Sequence, residues 1–166
     1  MERVLKNLVV LISFLSVLFP LGSLSQNRPE DYLAAHNAAR KNVGVLSLKW
    51  NPDLKEQAQH FLNKHKVDCM KEVPLAHVSI GGTIALKKGS KSFTGFDAAK
   101  TWVVQGKHYN HISNSCVGGE CRGYTQVVWK TTTHVGCARV TCDNDAGTIV
   151  CCDYEPPGNI SALRPY

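Results

Sequence analysis

Seven cysteines are the residues of this chain with the most chemistry open to them: Cys69, Cys116, Cys121, Cys137, Cys142, Cys151 and Cys152. Thiols can bridge to one another, hold zinc or attack an electrophile. No pair has the Cys-x-x-Cys spacing of a zinc site, which turns the reading towards disulfides. Seven is odd, so at least one thiol stays free or pairs with another chain, and counting leaves the pairing open. Cys151 and Cys152 adjoin in a run rich in β-branched residues, where successive side chains face opposite sides of a strand. They cannot share a partner. One joins the disulfide framework, and the other packs on the far face as a small, inert, buried group. Other nucleophile and phosphate patterns are missing: there is no Gly-x-Ser-x-Gly elbow, and Gly81-Gly82 runs into Thr-Ile-Ala without the lysine of a phosphate loop.

Disulfides need an oxidising compartment, and the N-terminus supplies the route to one. A short basic start with Arg3 and Lys6 precedes an apolar run from Leu8 to Phe19, followed by Pro20, Gly22 and the small-residue pattern Ser23-Leu24-Ser25. The run is too short to span a bilayer and reads as a secretory signal peptide over residues 1–25. The remaining 26–166 has the length of one domain. It carries 17 Lys and Arg against 12 Asp and Glu, a net charge of +5. That moderate excess suits acidic polysaccharide or an anionic surface, and export argues against nucleic acid as a partner. Lys87-Lys88-Gly89-Ser90-Lys91, the densest basic stretch, reads as a solvated loop.

The elements that would position these groups come helices first. Asn27, Pro29 and Glu30 predict a helix start, with Tyr32, Ala35, Ala39 and Val43 at helical spacing before Gly44. After an extended Val45–Trp50, Asn51 and Pro52 cap a second helix with Leu54, Ala58, Phe61, Leu62 and His65 on one face. Residues 68–93 read as a long loop pinned by a disulfide, and a third helix covers Phe96 to Gln105, ended by Gly106. Tyr124–Trp129, Val135–Cys142 and Thr148–Tyr154 read as strands, the last two joined by a hairpin turn over Asp143–Gly147. Helices followed by strands predict an α+β fold with the helices stacked on an antiparallel sheet.

Five strings then occur in order: Tyr32-Leu-Ala-Ala-His-Asn-Ala-Ala-Arg40, Asn114-Ser-Cys-Val-Gly-Gly, Gly123-Tyr-Thr-Gln-Val-Val-Trp129, Gly136-Cys-Ala-Arg-Val140 and Cys152-Asp-Tyr-Glu-Pro-Pro-Gly-Asn159. Together they resemble the plant pathogenesis-related class-one proteins of the CAP superfamily, over essentially all of 26–166. The resemblance implies a three-layer α-β-α sandwich, stabilised by bridges Cys69–Cys142, Cys116–Cys121 and Cys137–Cys152, with Cys151 as the free thiol. It also implies a cleft where two histidines and two acids converge and bind divalent metal in some members. Only His77 of that tetrad is retained, since Gly82, Gln105 and Gly123 stand at the other three positions. Two glycines and an amide cannot complete a metal site, and the spacing of His108, His111 and His134 offers no replacement.

Two further features follow from the same resemblance. Family members bind sterols on a loop matching Lys107 to Cys121, where Tyr109 is the only aromatic residue. The tail Pro156–Tyr166 fits the family's releasable defence peptide at each fixed position, with the junction between Glu155 and Pro156 and Asp153 replacing the usual Asn. A strand-ending role for the prolines explains them as well. Asn159-Ile160-Ser161 is a glycosylation sequon on a tail expected to be exposed. The implied function is that of a monomeric, extracellular (apoplastic), non-enzymatic, defence-associated protein without cofactor. A sterol- or lipid-binding module and a precursor of a C-terminal signalling peptide, with a protease and a receptor as partners, are the alternatives.

Overall fold

The computed structural model describes residues 27–67, 82–88, 90–143 and 146–166, with the main chain alone for 84–88. The signal-peptide reading of 1–25 and His77 and Cys69 lie outside the described residues. Helix α1, Pro29–Asn42, starts one residue later than its expected cap: Arg28 is the N-cap, its amide donating to Asp31 Oδ2 at 2.9 Å. Asn27 instead accepts a bond from the Gly95 amide at 3.0 Å and so ties the start of α1 to the start of α3. Helix α2, Pro52–His65, begins as predicted, with Asn51 Oδ1 accepting from the Asp53 and Leu54 amides. Its buried Leu54, Ala58 and Leu62 recur at helical spacing.

Helix α3, Gly95–Val103, opens on a reciprocal cap between Thr94 and Asp97. Gly106 does not end it. The chain tightens into a 3₁₀ turn over Val104–His108, which gives the last carbonyls nearer partners. A two-stranded hairpin follows, β3 (Tyr109–Asn110) and β4 (Ser115–Cys116).

Two expectations are corrected. Arg122–Val127, which takes in the first four residues of the strand expected over Tyr124–Trp129, is helix α4. Its β-branched residues suit a pleated surface only when a neighbouring strand supplies one. Here the Thr125 hydroxyl bonds the Arg122 carbonyl at 3.2 Å, and Thr125, Gln126 and Val127 are all buried, which a half-exposed strand would not allow. Within the expected long loop, Thr83–Lys88 forms strand β2. It pairs antiparallel with β6 from Thr83 opposite Cys152 to Lys88 opposite Gly147, so Lys87 and Lys88 belong to an edge strand rather than a loop.

The four-stranded sheet runs β1-β5-β6-β2, with β1 at Lys49–Trp50, β5 at His134–Thr141 and β6 at Gly147–Glu155. β1 pairs parallel to β5, and the other two pairings are antiparallel. One sheet face carries Val135, Cys137, Val150, Cys152 and Tyr154 into a core with Tyr32, Ala99, Trp102 and Val127 of α1, α3 and α4. The other carries Ala138, Ile149 and Cys151 against Ala58 and Leu62 of α2. The result is a three-layer α-β-α sandwich, with α2 on one face and α1, α3 and α4 on the other.

Candidate functional site

The cleft positions are set by where α3 and α4 converge. Gln105 lies in the 3₁₀ turn and Gly123 in the first turn of α4. Gln105 Oε1 accepts a hydrogen bond from the Gly123 amide at 2.9 Å. A Cβ on Gly123 would lie 2.7 Å from that oxygen and 2.8 Å from Trp102 Cδ1, too close for any side chain without movement of the buried Trp102. The Gln105 amide oxygen is thus spent on the backbone of Gly123, two of the positions that the family resemblance assigns to the cleft. Gly82, the third replacement, is buried at the entry to β2. Among the described residues, no three His, Cys, Asp or Glu side chains converge. The donor set at Gln105, Gly123 and Gly82 offers one neutral oxygen, already engaged, and does not fit a divalent cation.

Next to Gly82, Thr83 closes a buried polar chain that sequence reading missed. His36, fully buried on α1, directs Nδ1 at the Tyr32 carbonyl, 2.7 Å away, and Nε2 at the Tyr154 hydroxyl, 2.8 Å away. A carbonyl can only accept, so Nδ1 carries the proton and Nε2 accepts from Tyr154. The Tyr154 oxygen lies 3.0 Å from Thr83 Oγ1. Burial holds the His36 pKa down to about 4 and pushes the Tyr154 phenol above its usual range. The neutral imidazole is a bracket between α1 and the sheet.

Cys116 is bonded to Cys121, and Cys137 to Cys152, directly opposite it across β5 and β6. Cys142 is also disulfide-bonded. Cys151 is a buried, reduced thiol on the α2 face, donating weakly to Asp153 Oδ1 at 3.9 Å, and burial raises its pKa well above the usual thiol value. Such a thiol is a poor nucleophile.

Tyr109 is not presented as an open lipid contact. Its ring lies 6.1 Å from those of Tyr124 and Tyr166, and its hydroxyl donates to Asn114 Oδ1 at 2.8 Å. Tyr166 belongs to the tail, which returns over this loop. Strand β6 runs on to Glu155, one residue past the expected end, and Glu155, Pro156 and Pro157 are exposed. Beyond them Ile160 to Arg164 are exposed, as expected, while Gly158 and Asn159 are half-buried. Asn159 Oδ1 accepts from Thr125 Oγ1 and its Nδ2 donates to the Arg122 carbonyl at 2.9 Å, so the sequon amide is engaged with α4. Pro165 is buried. Nothing in the local sequence signals these partners, because each lies more than thirty residues away.

The sequence profile of the cysteine-rich secretory protein family, CAP, matches residues 33–154. Pathogenesis-related leaf protein 6 of Solanum lycopersicum is 42% identical over 162 residues, covering 96% of this chain and 98% of its own. Pathogenesis-related protein 1B of Nicotiana tabacum is 42% identical over 146 residues, 87% of this chain and 84% of its own. Among solved structures, the venom allergen-like protein 4 of Schistosoma mansoni is 30% identical, covers 81% of this chain and 90% of its own, and superposes with a TM-score of 0.62.

Proposed function

The chain belongs to the CAP family of cysteine-rich secretory proteins and to its pathogenesis-related members, and from that premise we propose that it acts outside the cell in defence without chemistry at the family cleft. The observation that carries this reading is the bond from the Gly123 amide to Gln105 Oε1. On the family resemblance, that self-satisfied contact joins two positions where ligands would stand. Export is supported by the composition of residues 1–25 and by the disulfides, which persist in oxidising surroundings. Calorimetry of the mature protein with zinc and with calcium tests the cleft. No stoichiometric binding is expected, and a one-to-one complex that disappears in His77→Ala would overturn the reading.

A second reading, a precursor of a C-terminal defence peptide, is favoured by the exposure of Glu155, Pro156 and Pro157 directly after buried Tyr154. It predicts a fragment beginning at Pro156 in extracellular fluid of stressed tissue, read by mass spectrometry. Finding only the intact C-terminus would refute it. Sterol or lipid binding on the 107–121 loop is the weakest of the three, because Tyr109 packs against Tyr124 and Tyr166.

A further inference from the structure

Residues 158–166 form neither helix nor strand, and Ile160 to Arg164 are exposed, yet the body holds the segment at both ends, at Gly158 and Asn159 and again from Leu163 to Tyr166. The Gly158 amide donates to Oε1 of fully buried Gln126 at 2.9 Å. A Cβ on Gly158 would come 2.6 Å from Trp129 Cγ, so only glycine reaches this depth. Asn159 has φ +55°, in the left-handed region that asparagine tolerates. Its amide meets a matched pair: the Thr125 hydroxyl donates to its oxygen while the Arg122 carbonyl accepts from its nitrogen. Further along, Asn114 Nδ2 donates to the Leu163 carbonyl at 3.1 Å and the Lys130 amide to the Pro165 carbonyl at 2.7 Å. Arg164 donates to the His111 and Ile112 carbonyls. The His111 ring stacks on Tyr166 with centroids 5.0 Å apart, and the Tyr124 and Tyr166 hydroxyls are 3.3 Å apart.

These partners come from α4, the turn after it and the β3–β4 hairpin. Within 158–166 itself, the main chain makes one turn bond, from the Leu163 amide to the Ile160 carbonyl. Its order therefore comes from the body. Residues 155–157 are exposed and have body contacts of their own, with the Glu155 carbonyl accepting from the Thr133 amide at 2.9 Å and the Pro156 carbonyl from Thr132 Oγ1 at 2.8 Å.

We propose that residues 158–166 are a peptide ligand bound in cis, and that the surface built by Arg122–Lys130 and the β3–β4 hairpin is a binding groove for a peptide bearing Gly-Asn and, after five intervening residues, Pro-Tyr. A cut in the exposed stretch ahead of Gly158 leaves the peptide seated. Release is a separate step, set by the Gly158 and Asn159 contacts. The groove reads asparagine over aspartate because a carboxylate placed there would turn an oxygen, not a donor, towards the Arg122 carbonyl. The proposal goes beyond the precursor reading and holds whether or not the chain is cut in life.

The test inserts the recognition sequence of a site-specific protease between Pro156 and Pro157 in the full chain. After cutting, native size-exclusion chromatography with mass spectrometry follows the fragment. At protein concentrations of about 10 µM, co-elution requires a dissociation constant near or below that value. The fragment is expected to co-elute with the body, and Asn159→Asp or Gly158→Ala to make it leave roughly tenfold faster, the scale of one lost hydrogen bond. Separation of the parent fragment on the column, or equal retention in both variants, overturns the proposal. Hydrogen exchange on the uncut natural chain decides the matter even if the insertion prevents folding. The Gly158 and Lys130 amides should be protected, and Asn159→Asp should release both while the Cys152 amide is unchanged. Exchange of Gly158 at the rate of a free peptide would sink the idea.

Discussion

Cys151 and Cys152 differ by one position and by everything that matters chemically. Strand alternation turns Cys152 towards Cys137 and the three-helix core, and Cys151 towards Ala58 and Leu62. Cys151 should therefore resist thiol reagents in the native protein and react fully once denaturant unfolds it, as read by mass after labelling. Cys151→Ser should lower stability by about 1 kcal/mol, since a hydroxyl also donates to Asp153. His36 yields a pH dependence of known sign. Its folded pKa of about 4 lies below the ordinary value of 6.5, so between those limits the unfolded chain binds the extra proton. Stability is complete above about pH 6.5 and falls as the pH drops to about 4, by about 3 kcal/mol for this group. Urea unfolding across that range should show the slope, and His36→Gln should flatten it. An unchanged slope in the variant would assign it to other groups.

At the scale of elements, Arg40 joins α1 to the segment after α4. Its buried guanidinium donates to the carbonyls of Leu46, Val127, Trp129 and Thr132 and has burial lowering its pKa to about 10. No carboxylate balances it among these partners; four backbone dipoles do. Arg40→Met keeps the apolar stem but leaves those carbonyls without a donor, and should cost roughly 3 kcal/mol or more in denaturant unfolding. The same turn supplies the Lys130 amide to the tail, so Lys130 should also exchange faster in the variant. α3 and α4 are joined in another way, through Gln105 and Gly123. Gly123→Ala should destabilise by about 1 to 3 kcal/mol, because its Cβ meets Trp102 in the packed core. A neutral result in thermal melts would mean that α4 can shift to make room.

For the whole molecule, the bridges differ in the loops they close. Cys137 and Cys152 enclose a separation of 15 residues and Cys116 and Cys121 one of 5. The chain-entropy account gives about 3 kcal/mol for the first and about 2 for the second, against a total of roughly 5 to 15. The Cys137→Ala/Cys152→Ala pair should lower the unfolding midpoint more than Cys116→Ala/Cys121→Ala, by an added core defect where Cys137 and Cys152 are buried. The opposite order would place the weight of stability in the β3–β4 hairpin and the tail it carries.

What the sequence determined by itself was local or periodic. Asn51 and Pro52 mark the start of α2 because a cap is satisfied within one turn. The opposite fates of neighbouring cysteines follow from the pleat, although which of the two is bridged came from family resemblance and not from the pleat. The expectation of a cleft without ligands at Gly82, Gln105 and Gly123 came from family resemblance; the side chains those residues lack are visible in the sequence alone. Only the tertiary structure decided that Arg122–Val127 is helical, since its β-branched residues would suit a strand until α1, α3 and the tail bury them together. It also decided that β2 exists, because an edge strand is defined by the β6 backbone beside it. The tail shows the limit most clearly. Pro156 and Pro157 predict an extended, accessible chain, and they are exposed. Gly158, Asn159 and Pro165 are held by Gln126, Thr125, Arg122 and Lys130, donors and acceptors that come within reach only after the sandwich has closed.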